Sequence, residues 1–207
     1  MVRCVPHYLK LLSAFVEDLP EHFNPKRILD LGCGNGNVTF EMIQKFPDSQ
    51  YVLLDASQEM IDLCRRRFQG YDIEYVTSYF KDYQFETNKF DLVTAGFSLH
   101  HCDADEKQQI FRRISESLKA GGIFGCSDLM IDRAHPEHIQ FKKEWELFVK
   151  ANYPDAEKWE WLMEHYNEYD KPDALNRQIK WLEETGFNTI RKTVLGSYWT
   201  YLSAVKK

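Results

Sequence analysis

The chain has no CxxC pair, no low-complexity tract, no internal repeat, and no apolar run near the roughly 18 residues that cross a bilayer. Each absence removes a class. The five cysteines (Cys4, Cys33, Cys64, Cys102, Cys126) are odd in number and far apart, so neither a metal site nor a disulfide framework is expected. Basic residues are outnumbered, 26 Lys and Arg against 32 Asp and Glu, for a net charge of −6. That balance argues against a nucleic-acid partner, which needs clustered cations. The one basic run, Arg65-Arg66-Arg67, reads first as a solvated helix face. Lys10, Glu17 and Asp18 interrupt the N-terminal apolar stretch, so no signal peptide is expected. The expectation is a cytoplasmic protein with no membrane partner. Its oligomeric state is open.

What is present is a rhythm. At 207 residues, 43% hydrophobic and 28% charged, the chain suits one globular domain. Leu11, Leu12, Phe15, Val16 and Leu19 give a helical spacing over 7–19, stopped by Pro20. Apolar strands are predicted at 27–31, 50–55, 73–76, 90–95 and from 122. Helices are predicted at 38–46, 59–68 and 105–118. Such alternation predicts βαβ units and a mostly parallel, doubly wound α/β sheet covered on both faces. After Asp128 the rhythm breaks. Residues 134–170, rich in Trp, Tyr, Glu and His, read as a helical insertion over the sheet's carboxyl edge. A helix at 173–184 and two strands around 190–195 and 198–205, turned at Gly196-Ser197, complete an antiparallel hairpin.

The sharpest motif is Ile28-Leu29-Asp30-Leu31-Gly32-Cys33-Gly34-Asn35-Gly36, a strand running through three alternating glycines into a helix. Glycine lets the backbone turn tightly and approach a ligand with no Cβ in the way. Asp55 ends the next strand, where a carboxylate accepts both hydroxyls of a ribose. Loop, acidic strand end and rhythm together predict nucleoside binding by Gly32, Cys33, Gly34, Gly36, Asp55 and Ala56.

The strings ILDLGCGNG, LLDAS, FDLVTAGFSLHH and LKAGG, in that order over residues 26–130, resemble the class I S-adenosylmethionine-dependent methyltransferases. The resemblance implies a Rossmann-like methyltransferase fold, S-adenosyl-L-methionine as cofactor, and a single domain over 1–207. That domain divides into an N-terminal helical lid (1–23), a cofactor-binding core (26–130), a helical cap (131–171) and a last helix and hairpin (172–207). Val5-Pro6-His7-Tyr8 and Met60 to Arg67 are similar to the branch containing the carboxy-S-adenosylmethionine synthases. It implies that Tyr8 reaches the methionine end of the cofactor, where the alternative is a packing tyrosine, and that Gly96 lies beside the amino-acid part. Where many relatives carry an adenine-holding Asp, this chain has Tyr79 and Phe80, so contact there rests on backbone groups and ring faces. The synthases also use an arginine in the cap to hold a carboxylate, and residues 151–176 contain none.

The acceptor is read from less. Trp, Tyr and Glu concentrated at 144–169 suit a small cation, with Trp145 and Phe97 as candidate contacts. The same pattern also fits an amphipathic helix pair with its rings in the core. Asp128 falls at the carboxyl end of the fifth strand, where such sheets place ligands; it is a candidate substrate and catalytic residue, or a loop hydrogen-bond acceptor. Within His100-His101, His100 is the candidate general base, with a structural turn as the alternative. Cys33 and Cys102 show no activating partner as thiols. The leading expectation is methylation of a small molecule, leaning to an amine or guanidine nitrogen. A synthase-like enzyme that remakes the cofactor and a non-catalytic cofactor-binding module are the alternatives.

Overall fold

The computed structural model describes residues 1–153, 156–196 and 198–207. Ser197, expected in the hairpin turn, lies outside the described residues. Seven strands form one sheet: β1 (Arg27–Leu31), β2 (Gln50–Asp55), β3 (Ile73–Thr77), β4 (Phe90–Gly96), β5 (Leu118–Leu129), β6 (Phe187–Leu195) and β7 (Trp199–Lys206). Their order is β3-β2-β1-β4-β5-β7-β6. The first five are parallel, while β7 runs antiparallel to both β5 and β6. This is a doubly wound α/β sheet with an antiparallel hairpin at one edge.

The strands alternate between two cores, as the two-residue period of a pleated strand requires. Ile28, Leu53 and Leu92 face one layer, with α1 (Tyr8–Glu17), α2 (Asn37–Lys45) and α3 (Gln58–Arg67). Leu29, Leu31, Val52, Leu54 and Val93 face the other, with α4 (Ala104–Ser117) and α7 (Leu175–Glu184). Both faces are therefore apolar. The central strands read as continuous hydrophobic runs for that reason.

Most predicted elements shift by one or two residues. Three differ more. β5 begins at Leu118 rather than Gly122, with its register against β4 broken between Phe90 and Leu92. The last helix starts at Leu175 because Asp173 faces inward, taking the buried Lys107 ammonium at 2.7 Å and Arg177 at 2.8 Å. A short 3-10 turn at Leu99–His101, not predicted as a helix, leads from β4 into α4. Asp103 and Glu106 close a reciprocal capping box at the start of α4.

The insertion is two helices, α5 (His138–Asn152) and α6 (Ala156–Tyr169). Phe141, Trp145 and Tyr166 point inward, whereas Trp161 and Tyr169 of α6 are exposed. Trp145 sits edge-on to Trp159, Tyr166 and Trp199 at centroid distances of 5.7, 5.6 and 5.3 Å. Phe141, Trp145, Val149 and Tyr166 are buried in the α1 layer. Lys171 N–H donates to His100 O at 2.6 Å, tying the end of the insertion to the carboxyl end of β4.

Candidate active site

A cavity of about 830 Å³ opens where β1 and β4 end. This is the edge at which open α/β sheets hold ligands, because the helices on either face diverge there. Its floor is the loop between β1 and α2. Gly32, Gly34 and Gly36 all have positive φ, at 67°, 54° and 80°. Their surroundings differ. A Cβ on Gly32 would lie 2.4 Å from Ser98 Cβ and 3.1 Å from the Phe80 ring. One on Gly36 would lie 2.4 Å from the Phe68 ring. One on Gly34 would meet no protein atom within 4 Å, and Gly34 lines the cavity.

Gly32, Cys33 and Gly34 line the cavity, as do Asp55 and Ala56 at the end of β2. Gly36 does not. Its lack of a side chain admits Phe68 and so lets α3 pack against the loop, a packing role beside the ligand role expected of it. Asp55 Oδ2 accepts from Gly34 N–H and Oδ1 from Ser57 N–H, each at 2.8 Å, so the carboxylate holds loop and strand end in one geometry. Tyr79 is 64% exposed at the rim and Phe80 lies deeper, both on the wall after β3.

At the opposite wall Tyr8 is buried with its hydroxyl facing Asn37, whose Nδ2 donates to it at 2.8 Å. Asn37 Oδ1 in turn accepts from Arg67 at 2.8 Å, and the same guanidinium nitrogen bonds Asn35 O at 2.7 Å. The basic run thus contributes more than a solvated face: Arg67 ties the glycine loop to α3. A Cβ on Gly96 would meet Val38 Cγ2 at 2.5 Å, so that position keeps β4 close to α2. Phe97, which follows it, has φ of 55°, a left-handed conformation costly for a bulky residue. Its N–H bonds Ser127 O at 2.7 Å and its ring leans on Tyr8 at 5.2 Å. The strain turns the Phe97 ring onto the cavity wall.

Three expected acceptor residues lie elsewhere. Trp145 is 3% exposed, donates its indole N–H to Cys4 O at 2.6 Å, and does not line the cavity. Asp128 is likewise 3% exposed and saturated. Its Oδ2 accepts from His100 N–H at 3.0 Å, and its Oδ1 meets His100 Nδ1 at 2.5 Å and accepts from Leu129 N–H at 2.9 Å. His100 faces Asp128 and Asp170 rather than the cavity. Burial pulls its pKa down, but Asp128, aided by Asp170, outweighs that and leaves it above the ordinary imidazole value. The histidine that lines the cavity is His101, pushed down to about 4 by burial and by its neighbour His100. Sequence could not choose between adjacent histidines, because the 3-10 turn decides which ring faces in.

Other lining residues escaped the sequence reading. Met60 follows the cofactor motif by one turn of α3 and was within reach of it; Glu106 and Gln109 come from α4 and carry no motif. Cys102 also lines the cavity, and burial pushes its thiol up to about 12, which leaves it a poor nucleophile.

Residues 28–122 match the family model described as a methyltransferase domain. The chain is 28% identical over 159 residues to a demethylmenaquinone methyltransferase of Lactococcus lactis, covering 71% of this chain and 60% of that protein. It is 24% identical over 199 residues to a carboxy-S-adenosyl-L-methionine synthase of Campylobacter lari, covering 92% and 82%. The chain thus spans less than two thirds of the first of these relatives. A solved S-adenosylmethionine-dependent methyltransferase from Mesorhizobium loti superposes with a TM-score of 0.67 at 19% identity, covering 95% of this chain and 96% of that one. No helix among the described residues is long and apolar enough to cross a membrane. Motifs, strand order and the matched segment agree, and over residues 28–122 the chain is similar to the methyltransferase domain of the class I S-adenosylmethionine-dependent methyltransferases.

Proposed function

We propose that the chain transfers a methyl group from S-adenosylmethionine to a small molecule bound in the cavity. One observation carries this reading: Gly34, in a left-handed conformation, leaves its Cβ position open to a cavity that Asp55 also lines. That is a cradle for a ligand that comes close to backbone, and the donor set suits this cofactor. Asp55 offers carboxylate oxygens to a ribose, while Tyr79, Phe80 and Met60 offer faces to a base. Tyr8, held by Asn37, stands near Gly96 and Phe97 at the other end, suited to the amino-acid portion. The cofactor, when bound, supplies an electrophilic methyl carbon, and the hard chemistry is its own. The protein's contribution is to hold an acceptor in line and exclude water, with Phe97 and His101 on the acceptor side.

An amine or guanidine acceptor, favoured by the acidic, ring-rich insertion, has lost Trp145 and Asp128 as its holders. What still supports it is Glu106 on the cavity wall, one of whose carboxylate oxygens accepts from Asp103 N–H in the capping box, with the rings of Tyr8 and Phe97. The synthase alternative needs a free arginine for a carboxylate. Arg113 lines the cavity, but its guanidinium bonds the carbonyls of Phe80, Lys81 and Tyr83. Arg133 in the insertion is held by Tyr166 O and Asp170 O.

The test is transfer of labelled methyl into a fractionated metabolite extract, with tRNA and protein pools alongside. Label in a small-molecule fraction, with S-adenosylhomocysteine released, is the expected result. Label confined to tRNA or protein, or a carboxylated cofactor in the mass spectrum, would replace this reading. Tight cofactor binding with no turnover in any pool would make the chain a binding module.

A further inference from the structure

Behind His101 lies a cluster that the transfer chemistry does not use. Asp170, just past the end of α6, aims Oδ1 at three imidazoles: His100 Nε2 at 3.7 Å, His101 Nδ1 at 3.5 Å and His165 Nε2 at 3.6 Å. All three are too long for good hydrogen bonds. Oδ1 is buried and has no hydrogen-bond partner, an uncommon state for a carboxylate oxygen. The ligand atoms of His100, His101 and Asp170 all lie within 4.8 Å of one another.

We propose that His100, His101 and Asp170 bind a divalent transition-metal cation of the zinc class, with the fourth position open to water or an acceptor. The spacing fits. A tetrahedral site with bonds of about 2.0–2.1 Å places its donor atoms about 3.3–3.4 Å apart, close to the 3.7 and 3.5 Å from Asp170 Oδ1 to the two imidazoles, and all three donors lie within 4.8 Å of one another. The donors fit as well: imidazole nitrogens with one carboxylate oxygen suit zinc-class ions, whereas calcium and magnesium take oxygen cages. The support around the ligands is also in place. His100 Nδ1 meets Asp128 Oδ1 at 2.5 Å, and Asp128 is itself held by two backbone N–H groups. Such a carboxylate–histidine pair fixes the tautomer that leaves Nε2 as a lone-pair donor aimed at the cluster. The saturated Asp128 and the orphaned Asp170 oxygen then have one explanation. Asp128 orients a ligand, and Asp170 is one.

Because His101 also lines the cavity, the ion sits at the acceptor wall. There it polarises an oxygen or sulfur of an incoming acceptor, lowering the pKa of the group to be methylated. This last role rests on the methyltransferase reading; the binding site does not.

The test is titration of the full chain, stripped with a chelator, with Zn²⁺ or Co²⁺ alone. Calorimetry should show one equivalent bound in the micromolar range or tighter, and Co²⁺ should develop the visible absorption of a four-coordinate site. His101→Ala, at a ring that is half-exposed at the cavity wall, should abolish the spectrum. Asp170→Asn should weaken binding, and Asp128→Asn should cost about 10–100-fold in affinity. His22→Ala, remote and exposed, should change nothing. Absence of saturable binding at millimolar metal, or equal loss in His22→Ala and His101→Ala with both folded by circular dichroism, would overturn the proposal. No cofactor or acceptor is present in the titration, so its failure leaves methyl transfer untouched. Failure of the transfer assay likewise leaves the metal site standing.

Discussion

Gly34 and Asp55 are joined by a hydrogen bond of 2.8 Å from the Gly34 N–H to Oδ2 of the carboxylate, across 21 residues of chain. The bond shapes the cradle and leaves the space above Gly34 open. Gly34→Ala therefore meets no protein atom but must hold φ near 54°, which costs about 1–2 kcal/mol. The new methyl also enters the cavity. The expected outcome is a modest loss of stability in urea and a fall of about tenfold or more in S-adenosylhomocysteine affinity by calorimetry. Asp55→Ala should lose affinity similarly. Wild-type affinity in both folded variants would remove these residues from the cofactor site.

Gly36, two residues on, should respond in the opposite way. Its added Cβ would lie 2.4 Å from the Phe68 ring, so Gly36→Ala should destabilise by about 1–3 kcal/mol through overpacking, beyond the cost of positive φ. Pairing it with Phe68→Leu relieves the contact. The double variant should be more stable than the sum of the single losses, with coupling of about 0.5–3 kcal/mol in a double-mutant cycle. Strict additivity would mean that Phe68 is not the obstacle.

Trp145 is expected to matter for folding and not for turnover. Trp145→Phe removes the indole donor to Cys4 O and part of a three-ring contact. A buried carbonyl left without its partner costs about 1–3 kcal/mol, which chemical denaturation would read. KM for the acceptor should be unchanged once one is identified. A large rise in KM at wild-type stability would return Trp145 to the acceptor site.

Asp30 sets a pH dependence of stability. Its carboxylate is 2% exposed and accepts from Thr39 at 2.6 Å and Thr94 at 3.0 Å, yet burial dominates and pushes its pKa up to about 6. An unfolded Asp ionises near 3.9. The folded state thus holds the proton more tightly, and that stabilisation is complete below about pH 4 and lost as pH rises through 6. Asp30→Asn removes the loss. The variant's stability relative to wild type should climb between pH 4 and pH 7, by on the order of 2 kcal/mol in urea titrations. A difference that does not vary with pH would show that Asp30 is not shifted.

Sequence alone determined the sheet and the cofactor loop, because both are local. Residues 28–36 carry strand, turn and helix start in nine consecutive positions, and Asp55 follows at a spacing that one βα unit imposes. An apolar run such as Val52–Leu54 can be buried on both faces only in a covered parallel sheet. The acceptor side was not legible in that way. Trp145, Asp128 and His100 have the residue types that an acceptor site would use, and nothing in their own neighbourhoods marks them as buried or saturated. Tertiary structure decided that Trp145 packs against the chain before α1, 141 residues away, and that Asp128 is taken by His100, 28 residues away. It likewise brought Asp170 to His100 and His101 across about a third of the chain, where no motif spacing exists to read. Local patterns are set by the backbone's own period, whereas the partner of a buried polar group is set by whichever distant element packs against it. Only the folded chain supplies that partner.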